Sequence, residues 1–97
     1  MGEDIRVVHV EDDPDLAALT AEMLERENGA IGVATAETIA SGLERVRTTA
    51  VDCVVSDYEL PDGDGIGFLE GVRAYDDRLP FILFTGKGSE EIASEAI

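Results

Sequence analysis

The chain of 97 residues is long enough for one small domain and too short for two. Its 22 acidic and 7 basic residues give a net charge of −15, which argues against direct binding to the phosphates of nucleic acids. No apolar run approaches the roughly 18 residues of a membrane span. The single cysteine, Cys53, cannot form an internal disulfide, so we expect a reducing, cytoplasmic location.

The apolar fraction of 44% indicates a folded chain, with a mostly aliphatic core because only 5% of the residues are aromatic. The acidic residues are spread along the whole chain rather than gathered in a tail. This distribution is typical of a surface adapted to a saline cytoplasm, and a general contribution to solubility explains it equally well.

Short apolar runs alternate with amphipathic stretches, a pattern typical of βα units around a parallel sheet. We predict four strands, at Ile5–Val10, Ala30–Thr35, Ala50–Ser56 and Leu79–Thr85. The first and third lack alternation, which indicates strands buried on both faces. His9 and Cys53 lie inside these two strands and are therefore predicted to be core residues rather than ligands.

The amphipathic stretches predict four helices. The first begins with Asp13 as N-cap and Pro14 at the first helical position, and it ends at Asn28. The third frays near Asp76, and Ser89 caps the fourth. The apolar stripes are Leu16, Leu19, Thr20 and Met23 in the first helix, Ile39, Ala40, Leu43 and Val46 in the second, and Ile66, Leu69 and Val72 in the third.

Acidic side chains follow two of the predicted strands. Short connections imply a doubly wound sheet, whose sites form at the carboxyl ends of the strands. Glu11, Asp12 and Asp13 follow the first strand, Asp57 follows the third, and Thr85 ends the fourth. If the first and third strands are neighbours, Glu11, Asp12 and Asp57 converge and repel one another unless a cation intervenes, whereas Asp13 serves as the helix cap. We therefore predict a Mg²⁺ site beside an aspartate that can attack phosphorus.

Three motifs carry a resemblance to a known family: VHVEDDP, VVSDYELPDGDG and FILFTGKGS. Because the three motifs occur in this order, the chain resembles the receiver domain of two-component response regulators over essentially its whole length. The resemblance implies a flavodoxin-like α/β fold, a doubly wound parallel sheet with strand order 2-1-3-4. The acidic composition and the last 17 residues, FILFTGKGSEEIASEAI, further resemble receiver modules of haloarchaea.

The resemblance also implies roles for individual residues. Asp57 would accept a phosphoryl group from the phosphohistidine of a histidine kinase or phosphotransfer domain. Glu11, Asp12 and the backbone carbonyl of Glu59 would join Asp57 around Mg²⁺, and Thr85 would be the switch hydroxyl. Such a phosphoprotein is a signalling switch that assists its own phosphotransfer and dephosphorylation, and it is not an independent enzyme.

The sequence departs from the family pattern near its C-terminal end. The family carries a lysine at the end of a fifth strand, and we expect residues 1–97 to form a receiver domain that lacks this strand and the final helix. Lys87 is not the equivalent of that lysine by position. An exposed sheet edge would favour a homodimer. Lys87 and Glu59 flank the predicted site, where they either screen the acyl phosphate from water or remain two solvated side chains.

Two other functions remain open at this stage. An aspartyl-nucleophile phosphatase or phosphotransferase typically has a second aspartate two residues after the nucleophile, where this chain has Glu59. A receiver-like docking module without phosphorylation would not need the acidic pair. A calcium loop through Asp62 and Asp64 fails, because the first and last ligand positions of an EF-hand fall on a leucine and a glycine.

Overall fold

The computed structural model describes residues 5–84, which form a parallel four-stranded sheet, a separate hairpin and three helices. The strands are β1 (Ile5–Val10), β2 (Ile31–Ala36), β3 (Cys53–Asp57), β4 (Glu59–Leu60), β5 (Gly63–Asp64) and β6 (Phe81–Phe84), and the helices are α1 (Pro14–Glu27), α2 (Ile39–Thr48) and α3 (Gly65–Tyr75). The sheet order is β2-β1-β3-β6 with every pair parallel, which confirms the predicted order 2-1-3-4. β4 and β5 pair antiparallel outside this sheet.

The strand boundaries differ from the prediction by one to three residues. β2 is shifted by one residue, and β3 begins at Cys53 rather than three residues earlier. Asp52, just before it, exchanges hydrogen bonds with Arg6, donating its N–H to the Arg6 carbonyl (2.8 Å) and accepting the Arg6 N–H on its carboxylate (2.8 Å). β6 begins at Phe81, directly after Pro80, which has no N–H to donate to the sheet.

The helix ends agree with the predicted caps. The Asp13 side chain accepts the N–H groups of the first turn of α1, and α1 ends at the C-cap Asn28. α2 begins with a capping box between Thr38 and Ser41, in which each side chain bonds the other's backbone N–H. α3 ends at the C-cap Asp76. None of the helices within residues 5–84 has the length and the apolar content that a bilayer span requires.

The main core lies between the sheet and the helices α2 and α3. Phe68 of α3 is fully buried, and its ring meets that of Phe81 edge-on with the centroids 5.4 Å apart. Gly42 lets α2 approach β1 closely, because a Cβ there would lie 2.7 Å from a methyl of Val10 and 2.9 Å from the Phe68 ring. This core fixes α2 and α3 relative to the carboxyl end of β1.

Helix α1 does not bury the stripe predicted for it. Leu16 and Met23 are 47% and 57% exposed, and Leu19 is exposed as well, whereas Ala17 is buried. The prediction is wrong because α1 packs mainly on the edge strand β2 and approaches it through the small side chain of Ala17. The leucines are the more hydrophobic residues, but helix and sheet lie so close together that the smaller side chain of Ala17 occupies the contact.

Candidate metal centre

The carboxyl ends of β1 and β3 lie side by side and bring three carboxylates together. Val10 pairs with Ser56, so the next residues, Glu11 and Asp57, are neighbours across the two strands. Glu11, Asp12 and Asp57 each offer a carboxylate oxygen, and these oxygens all lie within 4.8 Å of one another. The convergence expected from the sequence is therefore present in the structure.

Glu11 is the innermost of the three acids, with only 6% of its surface exposed. Its backbone N–H donates to the Ala36 carbonyl at 2.9 Å, and its Oε2 accepts the Asp13 N–H at 3.1 Å. Burial raises the pKa of Glu11, the nearby charges of Asp57 and Asp12 raise it further, and the hydrogen bond from Asp13 opposes them. A cation would remove this conflict by neutralising the charges that oppose ionisation.

The backbone around Asp57 holds its carboxylate at the end of the sheet. Tyr58 donates its N–H to the Phe84 carbonyl at 3.0 Å, and its own carbonyl accepts the Gly65 N–H at 2.6 Å. Gly65 leaves no room for a side chain, because a Cβ there would meet the Leu83 side chain and would lie 2.8 Å from the Asp57 carbonyl oxygen. α3 can therefore start directly behind Asp57 only if a glycine begins it.

The loop after Asp57 is an ordered hairpin that the sequence analysis did not predict. β4 and β5 pair Glu59 with Asp64 and Leu60 with Gly63. Gly63 has a φ of 152°, a conformation that side chains with a Cβ rarely adopt. The run Pro61-Asp62-Gly63 was the available signal for a tight turn, but β4 and β5 have only two residues each and leave no apolar alternation to detect.

Asp62 and Asp64, rejected as calcium ligands from the sequence, act as acceptors for helix N-termini. Asp62 accepts the N–H groups of Ile39 and Ala40 at 2.9 and 3.1 Å. These bonds lower the pKa of Asp62, that of Ile39 most of all. Asp64 caps α3 by accepting the Gly67 N–H at 2.8 Å. Neither residue belongs to the carboxylate cluster found among residues 5–84.

The carboxylate cluster fits a small hard divalent cation. Magnesium binds oxygens at about 2.0 to 2.1 Å, so ligands on opposite sides of the ion are about 4.2 Å apart. The oxygens of Glu11, Asp12 and Asp57 lie within 4.8 Å of one another, and Asp12 is the exposed member of the cluster. An all-oxygen, all-anionic set of this size suits Mg²⁺ better than the softer transition metals.

The remaining residues singled out from the sequence lie apart from this cluster. His9 is buried as predicted, at 2% exposure, and burial lowers its pKa; its Nδ1 has no hydrogen-bond partner in the described part of the chain. Cys53 is half-buried, and burial together with the charge of Asp52 raises its pKa. Thr85 and Lys87 fall outside the described residues, as does the helix predicted after Ser89.

Comparisons with known proteins agree with this geometry. The sequence matches the response regulator receiver domain family over residues 7–97. It is 29% identical over 97 residues to the acid tolerance regulatory protein ActR of Rhizobium meliloti (strain 1021), covering all of this chain and 49% of ActR. The chain thus spans about half the length of this curated relative.

Solved receiver domains share the fold. The non-phosphorylated HemR receiver domain of Leptospira biflexa is 34% identical, with a TM-score of 0.78 over 92% of this chain and 71% of that one. The beryllofluoride-activated NtrC4 receiver domain dimer is 27% identical, with a TM-score of 0.83 over 94% of this chain and 74% of that one. The parallel sheet, the acidic edge and the family match together lead to one conclusion: the chain belongs to the response regulator receiver domain family, whose members are phosphoacceptor signalling switches.

Proposed function

We propose that Asp57 is the phosphoacceptor of this receiver domain and that Glu11 and Asp12 hold the Mg²⁺ that its phosphorylation requires. The observation that carries the proposal is the cluster of three carboxylates whose oxygens lie within 4.8 Å of one another. Asp57 ends β3 and is only partly buried, so an incoming phosphoryl group can reach it. Glu11 is buried beside it.

The chemistry is a transfer of a phosphoryl group between two nucleophiles. A carboxylate oxygen of Asp57 forms a bond to phosphorus while the bond from phosphorus to the imidazole nitrogen of the donor breaks, and the electron pair stays on that nitrogen. The product is an acyl phosphate. Hydrolysis is a separate, later step, in which a water oxygen bonds to phosphorus, the bond from phosphorus to the Asp57 oxygen breaks, and the products are the Asp57 carboxylate, inorganic phosphate and a proton released to solvent.

Each of the neighbouring groups has a place in this scheme. Bound Mg²⁺ would offset the charge of the phosphoryl oxygens. Glu11 and Asp12 would hold the ion against Asp57, with the backbone carbonyl of Glu59 as a further ligand. Thr85 would offer its hydroxyl to the phosphoryl group and act as the switch residue.

The partner and the setting follow from the same chemistry. The phosphoryl donor is the phosphohistidine of a histidine kinase or of a phosphotransfer domain. The single cysteine and the net charge of −15 suit a reducing and saline cytoplasm, such as that of a halophilic archaeon. A homodimer through the edge next to β6 and a contact between Lys87 and Glu59 remain predictions.

Mass spectrometry after treatment with acetyl phosphate and Mg²⁺ tests the proposal. The wild type should gain the mass of one phosphoryl group, and hydroxylamine should remove it, as expected of an acyl phosphate. Asp57→Asn should gain nothing. Asp77→Asn makes the same change of charge at an exposed position before β6, at the other end of the sheet, and should behave like the wild type.

Two outcomes would contradict the proposal. A hydroxylamine-sensitive adduct on Asp57→Asn would place the acceptor elsewhere. Equal phosphorylation of the wild type with and without a chelator would remove the metal from the scheme, and equal phosphorylation of the wild type and Asp12→Asn would remove Asp12 from the ligands.

A further inference from the structure

The carboxylate of Asp62 joins the hairpin after Asp57 to the first turn of helix α2. Its two oxygens accept the N–H groups of Ile39 and Ala40 at 2.9 and 3.1 Å, across 23 and 22 residues of sequence. The helix is already capped by Thr38, which serves the N–H of Ser41. Asp62 thus takes the two N–H groups that this local cap leaves without a partner.

The backbone at the tip of the hairpin also packs closely against the start of α2. Gly63 adopts a φ of 152°, and a Cβ on it would lie 2.9 Å from the Cδ1 of Ile39. The side chain of Leu60 is buried in the main core at 8% exposure. The backbone at Gly63 and the carboxylate of Asp62 therefore seat the hairpin against the start of α2, and the Leu60 side chain ties it to the main core.

The hairpin needs such anchors because it is too short to be stable on its own. β4 and β5 have two residues each, and an isolated two-stranded hairpin is at best marginally stable in water. At its base the Gly65 N–H donates to the Tyr58 carbonyl at 2.6 Å, and at its tip Asp62 bonds α2. Glu59 lies between these two anchors, so its backbone position depends on both.

We propose that Asp62 is a positioning residue for the cation site, because it clamps the hairpin onto α2 and so fixes the backbone of Glu59, whose carbonyl is the further ligand expected beside the carboxylate cluster. This proposal rests on the proposed Mg²⁺ site. Asp62 itself is not a member of the carboxylate cluster. The coupling is reciprocal, so occupation of the cation site stabilises the first turn of α2 by the same free energy.

Calorimetric titration with Mg²⁺ of four proteins tests the clamp: the wild type, Asp62→Ala, Asp62→Asn and Asp52→Ala. Asp62→Asn removes the same charge as Asp62→Ala but keeps an oxygen that can accept from Ile39 or Ala40. Asp52→Ala removes a carboxylate that likewise accepts a backbone N–H, that of Arg6, at the opposite end of the sheet.

Loss of a group that orients a metal ligand typically costs 10- to 100-fold in affinity, and we expect Asp62→Ala to weaken Mg²⁺ binding by about tenfold. Asp62→Asn should weaken it by only about two- to threefold, because the bond is retained in part, and Asp52→Ala by less than about twofold. If both Asp62 variants weaken Mg²⁺ binding equally, the loss of affinity is explained by the lost charge alone, and the proposal is overturned. Unchanged affinity of Asp62→Ala would overturn it too.

Amide hydrogen exchange, measured without Mg²⁺, separates failure of the clamp from failure of the cation site. If Asp62 anchors the hairpin, the amides of Ile39, Ala40 and Glu59 exchange faster in Asp62→Ala than in Asp62→Asn or Asp52→Ala. If the wild type binds no Mg²⁺, the proposed cation site is refuted. The comparison of exchange rates then still tests whether Asp62 anchors the hairpin. Equal exchange in all the variants would refute the anchor even if the wild type binds Mg²⁺.

Discussion

Asp12→Asn should stabilise the metal-free protein while weakening its response to Mg²⁺. Asp12 is the exposed member of the carboxylate cluster, and its oxygens lie within 4.8 Å of those of Glu11 and Asp57. The substitution keeps the size and the oxygen but removes one of three like charges. Repulsion is thereby relieved when no ion is bound, and one anionic ligand is lost when an ion is present.

The size of the effect follows from the separation of the charges. Two unit charges 4.8 Å apart repel by about 0.9 kcal/mol in bulk water and by about 3.5 kcal/mol at an effective dielectric constant of 20. Because Asp12 is exposed, we expect the lower part of this range, about 1 to 2 kcal/mol. Mg²⁺ at ten times its dissociation constant would stabilise the wild type by about 1.4 kcal/mol.

Urea denaturation in EDTA and in Mg²⁺ measures both effects, with Asp77→Asn as the control of equal charge at an exposed site at the other end of the sheet. Asp12→Asn should unfold at higher urea than the wild type in EDTA, and Mg²⁺ should shift its midpoint much less. If Asp12→Asn has the midpoint of Asp77→Asn in EDTA, the carboxylates do not repel as argued. An equal gain from Mg²⁺ in wild type and Asp12→Asn would refute the role of Asp12 as a ligand.

Three further predictions concern the frame of the site. Phe68→Ala should cost about 3 to 5 kcal/mol of unfolding free energy, because it empties a fully buried ring position against Phe81; a urea midpoint near that of the wild type would contradict the packing. Gly65→Ala should cost about 1 to 3 kcal/mol and slow phosphorylation by acetyl phosphate, since the new methyl would press on the Asp57 carbonyl; normal stability and rate would contradict it. The lowered pKa of Asp62 means that its contribution to stability is present above its ordinary value of 3.8 and is lost as the pH falls through the lower, folded value. The stability difference between wild type and Asp62→Asn should therefore shrink in acid, and a difference that does not change with pH would contradict the bonds to α2.

The sheet was predictable because parallel strands buried on both faces leave a plain signal. β1 has Val7, Val8, His9 and Val10 buried in succession, and its run of β-branched residues, which only Arg6 and His9 interrupt, predicted both of its boundaries correctly. The stripe of α1 was misread because a hydrophobic pattern shows which residues are apolar and not which neighbour they meet. Only the packing of α1 on the edge strand β2 makes Ala17 the contact and leaves Leu16 exposed.

The cluster of Glu11, Asp12 and Asp57 could be predicted because it depends on strand order alone, and the carboxyl ends of neighbouring parallel strands meet at one edge. The hairpin of β4 and β5 could not be predicted from the sequence. Its strands are too short for a periodic pattern, and the bonds from Asp62 to α2 span 22 and 23 residues, which no local pattern encodes. The phosphoacceptor role of Asp57 itself remains a prediction that the phosphorylation experiment must decide.

The same edge of the sheet also explains how six acidic residues can gather there. In a doubly wound fold the helix N-termini point to the edge where the strands end, and each carries a partial positive charge. Three aspartates use this charge: Asp13 accepts from the first turn of α1, Asp62 from that of α2, and Asp64 from that of α3.

These three carboxylates thus accept hydrogen bonds from backbone N–H groups within the fold. Glu11, Asp12 and Asp57 form the separate carboxylate cluster, in which the N–H of Asp13 opposes the rise in the pKa of Glu11 without offsetting it. The acidic residues at this edge are therefore of two kinds, those that accept N–H groups from helix N-termini and those that form the carboxylate cluster. Substituting one of the first kind should lower stability with or without Mg²⁺, whereas substituting one of the second should raise it in EDTA.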